Sequence, residues 1–123
     1  MRALLALAVL ALALGIPAPA PATGARPAAH VQIVARDFSY SLSRVQLRSG
    51  TAVVELMNLG QDAHDLRLQR VGARHIAGTP VVSSGDRAEL SLRLLPGRYR
   101  IWCSIADHRA RGMAATLVVK RSR

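Results

Sequence analysis

Four side chains in this sequence carry metal-ligand chemistry. Three form the run Cys103-x4-His108-x4-Met113, and the fourth, His64, lies well upstream in Asn58-Leu59-Gly60-Gln61-Asp62-Ala63-His64-Asp65. One thiolate, two imidazoles and one thioether are the donor set of a trigonal His2Cys site with a weak axial Met, which suits copper. The soft thiolate favours Cu(I), imidazole accepts Cu(I) and Cu(II) alike, and a long thioether bond perturbs neither state, so one geometry serves both charges. Zinc is the rival ion, but it prefers four strong tetrahedral donors and a thioether is a poor fourth. Taken singly, each residue has a plainer reading: a lone Cys as a small buried hydrophobe, a Met as core filler, a loop His as solvated. Their joint order and spacing outweigh those readings.

Residues at such spacing bend round one ion only from a loop, and Gly112 gives the backbone freedom just before Met113. His64 must then arrive from another strand end. The elements that could position them read as strands. Val31, Ile33 and Ala35 alternate with polar neighbours, as do Val45 and Leu47, Leu66 and Leu68, and the series Ala88, Leu90, Leu92 and Leu94. Thr51 to Met57 is apolar on both faces except at Glu55, as expected of a central strand. Tyr99, Ile101 and Cys103 share one face, and Leu117 and Val119 belong to a last strand. Turns fall at Ser49-Gly50, Leu59-Gly60, Ser84-Gly85-Asp86 and Pro96-Gly97. Val71 to Val82 is irregular and is read as a short helix or loop. Short strands at this spacing, without a long helical period, predict an all-β Greek-key sandwich with the four candidate ligands at one end. Asp65 and Ser104 each directly follow a candidate ligand, so a hydrogen bond between them would tie the two ligand loops together; the plain alternative is two ordinary turn polars. Asn58 is expected to cap its turn through its own side chain.

This order of residues resembles the cupredoxin family, the plastocyanin, azurin and rusticyanin group of type 1 copper proteins, over roughly Val31 to Lys120. The resemblance is carried by the Asn-x-Gly-x-x-x-His-Asp turn at Asn58 to Asp65, by Leu95-Pro96-Gly97-x-Tyr99, by Trp102 before Cys103, and by Gly112-Met113. The longer ligand loop is more similar to rusticyanin or auracyanin than to plastocyanin. The resemblance implies a cupredoxin-like sandwich holding one Cu(I)/Cu(II) ion on His64, Cys103, His108 and Met113. It also implies that His108 reaches the surface as an electron exit and that Trp102 is a candidate for a second route, although sheet packing explains Trp102 as simply. Many family members have Asn directly after the first ligand His; this chain has Asp65.

Upstream, Met1-Arg2 precedes an apolar Ala/Leu/Val run to Ile16 and then small residues, which reads as a secretory signal peptide over residues 1–22. The run is shorter than the ~20 residues a bilayer span needs. A Pro/Ala-rich linker over 23–29 leads to a copper-binding domain over 30–123, and the protein is expected in the periplasm or outside the cell as a monomer. An exported chain with one Cys has no internal disulfide, so Cys103 is either an exposed thiol or a protected ligand.

The formal net charge of +10, almost all through Arg, points to an acidic redox protein or an anionic membrane surface as partner, with Arg109 and Arg111 close to His108. Nucleic acid is not expected of an exported domain with 3% aromatics. His30 and His75 have no partners at useful spacing and are read as solvated. Neither a second His cluster nor a nucleophile-base-acid set is apparent, so the protein is read as an electron carrier and not an enzyme. The alternative is a periplasmic copper-binding or copper-delivery protein without an electron-transfer role, and a third reading is a metal-free adhesion-type sandwich in which Cys103 does nothing.

Overall fold

A single face of each strand is apolar along most of this chain, and two such faces can be hidden from water only against each other. The computed structural model describes residues 24–123; the expected signal peptide lies outside the described residues. Nine strands follow in order: β1 (Ala29–Arg36), β2 (Ser39–Leu42), β3 (Gln46–Arg48), β4 (Gly50–Asn58), β5 (Arg67–Arg70), β6 (Ala77–Gly78), β7 (Arg87–Leu94), β8 (Gly97–Trp102) and β9 (Ala114–Lys120). They form two sheets, ordered β2-β1-β4-β7 and β3-β9-β8-β5-β6. The fold is an all-β Greek-key sandwich. Among the described residues no helix is long and apolar enough to cross a membrane.

Both sheets are mixed. After the β1–β2 hairpin the chain crosses to the opposite sheet as β3 and returns beside β1 as β4, so β1 and β4 run parallel, with Val31 facing Val54 and Ile33 facing Leu56. β3 lies parallel to the final strand in the same way, Leu47 facing Val119. The core is drawn from the inward faces predicted by alternation: Val31, Ile33 and Ala35 from β1, Val54 and Leu56 from β4, Tyr99 and Ile101 from β8, Leu117 and Val119 from β9. Glu55 interrupts the β4 run because it points outward, where Gln32 Nε2 donates to Oε1 at 2.7 Å. β7 buries Leu94 fully and leaves Ala88, Leu90 and Leu92 half-buried.

Three expectations are corrected or narrowed. Val45 does not share the burial of Leu47; it precedes β3 and is 61% exposed, because only its carbonyl is engaged, by the Val118 amide at 2.9 Å. The 71–82 stretch is the loop of the two alternatives, except that Ala77–Gly78 pairs with β5 as an edge strand. A side chain at Gly78 would run into the Leu66 carbonyl oxygen at 2.6 Å, which is why the smallest residue stands there. The first strand begins at Ala29 instead of His30.

β4 ends, β8 ends, β9 begins and the β1–β2 turn closes at the same end of the sandwich, as the registers Ala35 to Asn58 and Trp102 to Ala114 require. Side chains on the connecting loops therefore meet there. Leu117 is fully buried between the sheets. Leu117→Ala is expected to cost about 2–5 kcal/mol of unfolding free energy. Leu95→Ala, at a half-exposed site, should stay within about 0.5 kcal/mol of wild type. Urea unfolding of both variants checks the contrast.

Candidate metal centre

Two loops bring the candidate ligands together. The first, between β4 and β5, is shaped by Asn58, a fully buried side chain. Its Oδ1 accepts from the Gly60 amide at 2.9 Å, and its Nδ2 donates to the carbonyls of Asp62 and Val82 at 2.8 and 2.9 Å. The turn is thereby closed on itself and fixed to the segment before β7. His64 continues that attachment through paired backbone bonds with Val82, 3.0 Å from His64 N and 2.7 Å to His64 O.

The second loop joins β8 to β9. The Cys103 amide donates to the Met113 carbonyl at 3.2 Å, and the Met113 amide to the His108 carbonyl at 3.0 Å, so the run from Cys103 to Met113 folds back on itself. Gly112 takes φ +109°, a conformation unfavourable for other residues, immediately before Met113.

The result is a buried cluster. His64, Cys103 and Met113 are at most 1% exposed and His108 is 6% exposed. His64 Nδ1 lies 3.2 Å from His108 Nδ1, and Cys103 Sγ lies 3.6 Å from the same His108 atom. One donor atom from each of these three residues falls within 4.8 Å of the others, a spread that a single ion can bridge. Met113 is held beside them by its backbone bonds to Cys103 and His108. Burial is the main effect on the Cys103 thiol and pushes it above the ordinary thiol range, so without metal it stays protonated at neutral pH.

Ser104 and Asp65 join the two loops. The Ser104 amide donates to Asp65 Oδ1 at 2.7 Å and its hydroxyl to Oδ2 at 2.5 Å. Arg67 adds an ion pair to Oδ2 at 2.9 Å, and Tyr40 donates its hydroxyl to the Asp65 carbonyl. Burial disfavours the Asp65 carboxylate and is the largest single influence, but the two Ser104 donors and Arg67 together outweigh it and hold the group below the usual carboxylate range.

Sequence reasoning missed Asp37 and Phe38. Asp37 Oδ1 sits 2.7 Å from His64 Nε2, and the same carboxylate accepts from the amides of Gln61 at 2.7 Å and Asp62 at 3.3 Å. The Gln61 amide is the leading cause of its lowered pKa, so it stays an acceptor near neutral pH. His64 must therefore donate from Nε2, which leaves the Nδ1 lone pair directed at the cluster. Phe38 packs on His108 with ring centroids 4.7 Å apart, and the Arg111 guanidinium lies 3.5 Å from the Phe38 ring centroid on the outside. The signal available in sequence was weak: the chain has four aromatic residues, and two of them, Phe38 and Tyr40, flank one turn beside an Asp.

Other residues follow or depart from expectation. Trp102 is half-buried, with the Arg109 guanidinium 4.7 Å from its ring centroid, as the sheet-packing reading expects. Arg109 and Arg111 are thus stacked on aromatic rings, while Asp62 Oδ2 approaches His108 Nε2 at 4.0 Å; the ligand end is of mixed charge and not the basic surface anticipated. His30 is exposed but has a partner, Glu55, at 3.8 Å; His75 is exposed.

A buried thiol and two imidazole Nδ1 atoms converging on one point, with a buried thioether alongside, fit copper by their donor chemistry. The fold and the donor set define a copper-binding β-sandwich of the blue copper type. The chain matches the Cupredoxin-like domain family over residues 4–119 and belongs to that family. Its His64, Cys103, His108 and Met113 are arranged as a type 1 site for one copper ion. No curated protein matches the sequence. Among solved structures, the sandwich is similar to reduced auracyanin from the photosynthetic bacterium Roseiflexus castenholzii, at 17% identity over 74% of this chain and 96% of that one, with a TM-score of 0.63. It is also similar to rusticyanin from Thiobacillus ferrooxidans (19% identity, 74% and 77% coverage, TM-score 0.58). A purple cupredoxin from Nitrosopumilus maritimus matches at 20% identity over 72% of this chain and 98% of that one, with a TM-score of 0.57. At such identities these likenesses describe the fold.

Two outcomes follow. A β-carbon at Gly60 would collide with Asp37 Oδ1 and stand 2.9 Å from His64 Nε2, so Gly60→Ala should lose about 1–3 kcal/mol of stability in thermal or urea unfolding. Asp65 and Asp37 both have folded-state pKa values below their unfolded ones. Their contribution is complete above the unfolded value of about 3.9 and is lost as pH falls through the lowered folded values. Metal-free protein should therefore unfold more easily below about pH 4, and Asp65→Asn should be less stable near neutrality with a shallower acid slope in urea titrations across pH.

Proposed function

We propose that this protein is an exported mononuclear type 1 copper protein that shuttles single electrons between redox partners, in which His64, Cys103, His108 and Met113 would hold the copper ion. The observation that carries the reading is the convergence of Cys103 Sγ, His64 Nδ1 and His108 Nδ1 in one buried place. Bound copper supplies a one-electron change between Cu(I) and Cu(II). The chain's own residues supply the rest. Asp37 fixes the His64 tautomer, and Ser104 and Asp65 keep the two ligand loops at constant separation, so the donors need not rearrange when the charge changes. The Cys103 proton, retained by burial, must leave when metal enters, so uptake should weaken as pH falls.

Near-complete burial of His64, Cys103 and Met113 favours a carrier over a delivery protein, because handing over metal requires ligands that a partner can reach. His108, packed against Phe38 but retaining some exposure, supports an exit for electrons at that end. Among the described residues the metal-capable His and Cys groups form one cluster, His64, Cys103 and His108, enough for a single copper ion. Residues 1–22 are proposed as a cleaved signal peptide directing the domain to the periplasm or beyond, with an acidic redox protein or an anionic membrane surface as partner.

Visible absorption after addition of Cu(II) tests the reading. Wild type should give an intense thiolate-to-copper band with a reversible potential by voltammetry, and Cys103→Ser should give no band. Absence of the band in wild type sinks the proposal, and copper that leaves rapidly to a chelator would favour delivery instead.

A further inference from the structure

Along the long axis of the sandwich, acids are missing from one end among the described residues, whereas cations are found at both. Five of the seven acidic residues, Asp37, Asp62, Asp65, Asp86 and Asp107, sit on the loops or turns at the ligand end. The other two, Glu55 and Glu89, face each other across β4 and β7 in the body of one sheet. Among the described residues no Asp or Glu occupies the opposite end, where β8 begins and β7 and β9 finish. The cations at that pole stand without acids, whereas Arg36, Arg67, Arg87, Arg109 and Arg111 at the ligand end share it with carboxylates. Arg48 is paired in register with Lys120, Arg98 with Val118, and Arg93 with Thr51, and all four of these cations are exposed. Arg70 leans across this end to donate to the Pro96 carbonyl at 3.2 Å, and Arg26 donates to the Arg123 carbonyl at 3.0 Å. Two apolar side chains stand out among them: Val71, 51% exposed, whose amide donates to the Arg98 carbonyl, and Leu95, 50% exposed, which shares a cleft of about 170 Å³ with Arg70 and Arg93.

We infer that this basic pole docks on a bilayer surface bearing anionic lipid headgroups and holds the copper end turned away from the membrane. The chemistry is charge complementarity with an apolar contribution. Guanidinium groups pair with lipid phosphates while their stems cover the interface, and Val71 and Leu95 enter the headgroup region. Val71 and Leu95 are half-exposed hydrophobes that stand among cations with no acid beside them, a combination that suits a headgroup region better than a purely acidic protein surface. The docking takes the electron-carrier reading as its setting and names which of its two partner classes this surface serves. Because the ligand end lies at the far side of the molecule, a carrier docked in this way leaves His108 open to a redox partner in solution.

The test uses the protein as recovered after export, loaded with copper, in flotation with vesicles of phosphatidylcholine alone or of equimolar phosphatidylcholine and phosphatidylglycerol. Binding should need phosphatidylglycerol and fall as salt rises. Each cation removed should weaken it about fivefold, so Arg93→Ala/Arg98→Ala should bind roughly 25-fold more weakly. Arg109→Ala/Arg111→Ala, at the ligand end, should bind as wild type does. Leu95→Ser should weaken binding without altering its salt dependence. The thiolate-to-copper band, recorded on every sample, shows that each variant is folded and keeps the two readings separate. Binding that is equal on both vesicles, or that is weakened by the ligand-end pair and not by the pole pair, overturns the inference while the band stands. Tighter retention on immobilised polyglutamate than on phosphatidylglycerol would assign the pole to an acidic protein and overturn it likewise. A missing band with intact vesicle binding would overturn the carrier reading alone.

Discussion

Two hydrogen bonds from Ser104 to the Asp65 carboxylate hold the metal end of this molecule in shape. Each of these residues directly follows a candidate ligand, and the ligands belong to loops that leave different sheets. Without the link, the separation of His64 from Cys103 would depend on two loops held independently. With it, a displacement of either loop must break charge-assisted bonds to the buried Asp65 carboxylate, which is costly to leave uncompensated. Arg67 and Tyr40 extend the link to β5 and β2, so the frame is anchored in both sheets. Rigid support of this kind lets a metal site accept two oxidation states without reshaping.

Asp37 acts on the other side of His64. Its carboxylate is held by backbone amides of the very turn that presents the imidazole, so the turn, the acid and the ring form a closed circuit. Such an arrangement decides which ring nitrogen carries the proton, and it also places a negative charge one hydrogen bond from the donor set. Phe38, the next residue, shields His108. One short connection between β1 and β2 therefore serves both imidazoles, although it contributes no donor atom to the cluster.

The parts legible from sequence were those fixed by local chemistry. Alternation gave the inward faces of β1, β8 and β9 because one side of each strand is packed and the other wet, and a one-residue error would invert the pattern. The run from Thr51 to Met57, apolar on both faces except at Glu55, reads correctly as a central strand. Cys103, His108 and His64 could be grouped because their donor types are a property of the residues themselves. What stayed hidden depends on who lies opposite. Val45 looks like a strand residue but has no sheet to cover it. Ala77–Gly78 becomes a strand only through pairing with β5. Asp37 is an ordinary turn acid until the fold brings the Asn58 turn over it. The charge near His108 was misjudged for the same reason: Arg109 and Arg111 are neighbours in sequence, whereas Asp62 and the aromatic rings they stack on come from elsewhere.

The segment from Cys103 to Met113 is closed by a backbone bond between its own first and last residues, and strand pairing resumes immediately outside it at Trp102 and Ala114. The sandwich therefore meets this segment at a single gate of constant width. Insertions or deletions inside the gate would change the loop that carries three of the four ligands while leaving the pairing of Trp102 with Ala114 outside it. The segment is in that sense a separable cassette, free to diversify in length and sequence on a scaffold that evolves under different constraints.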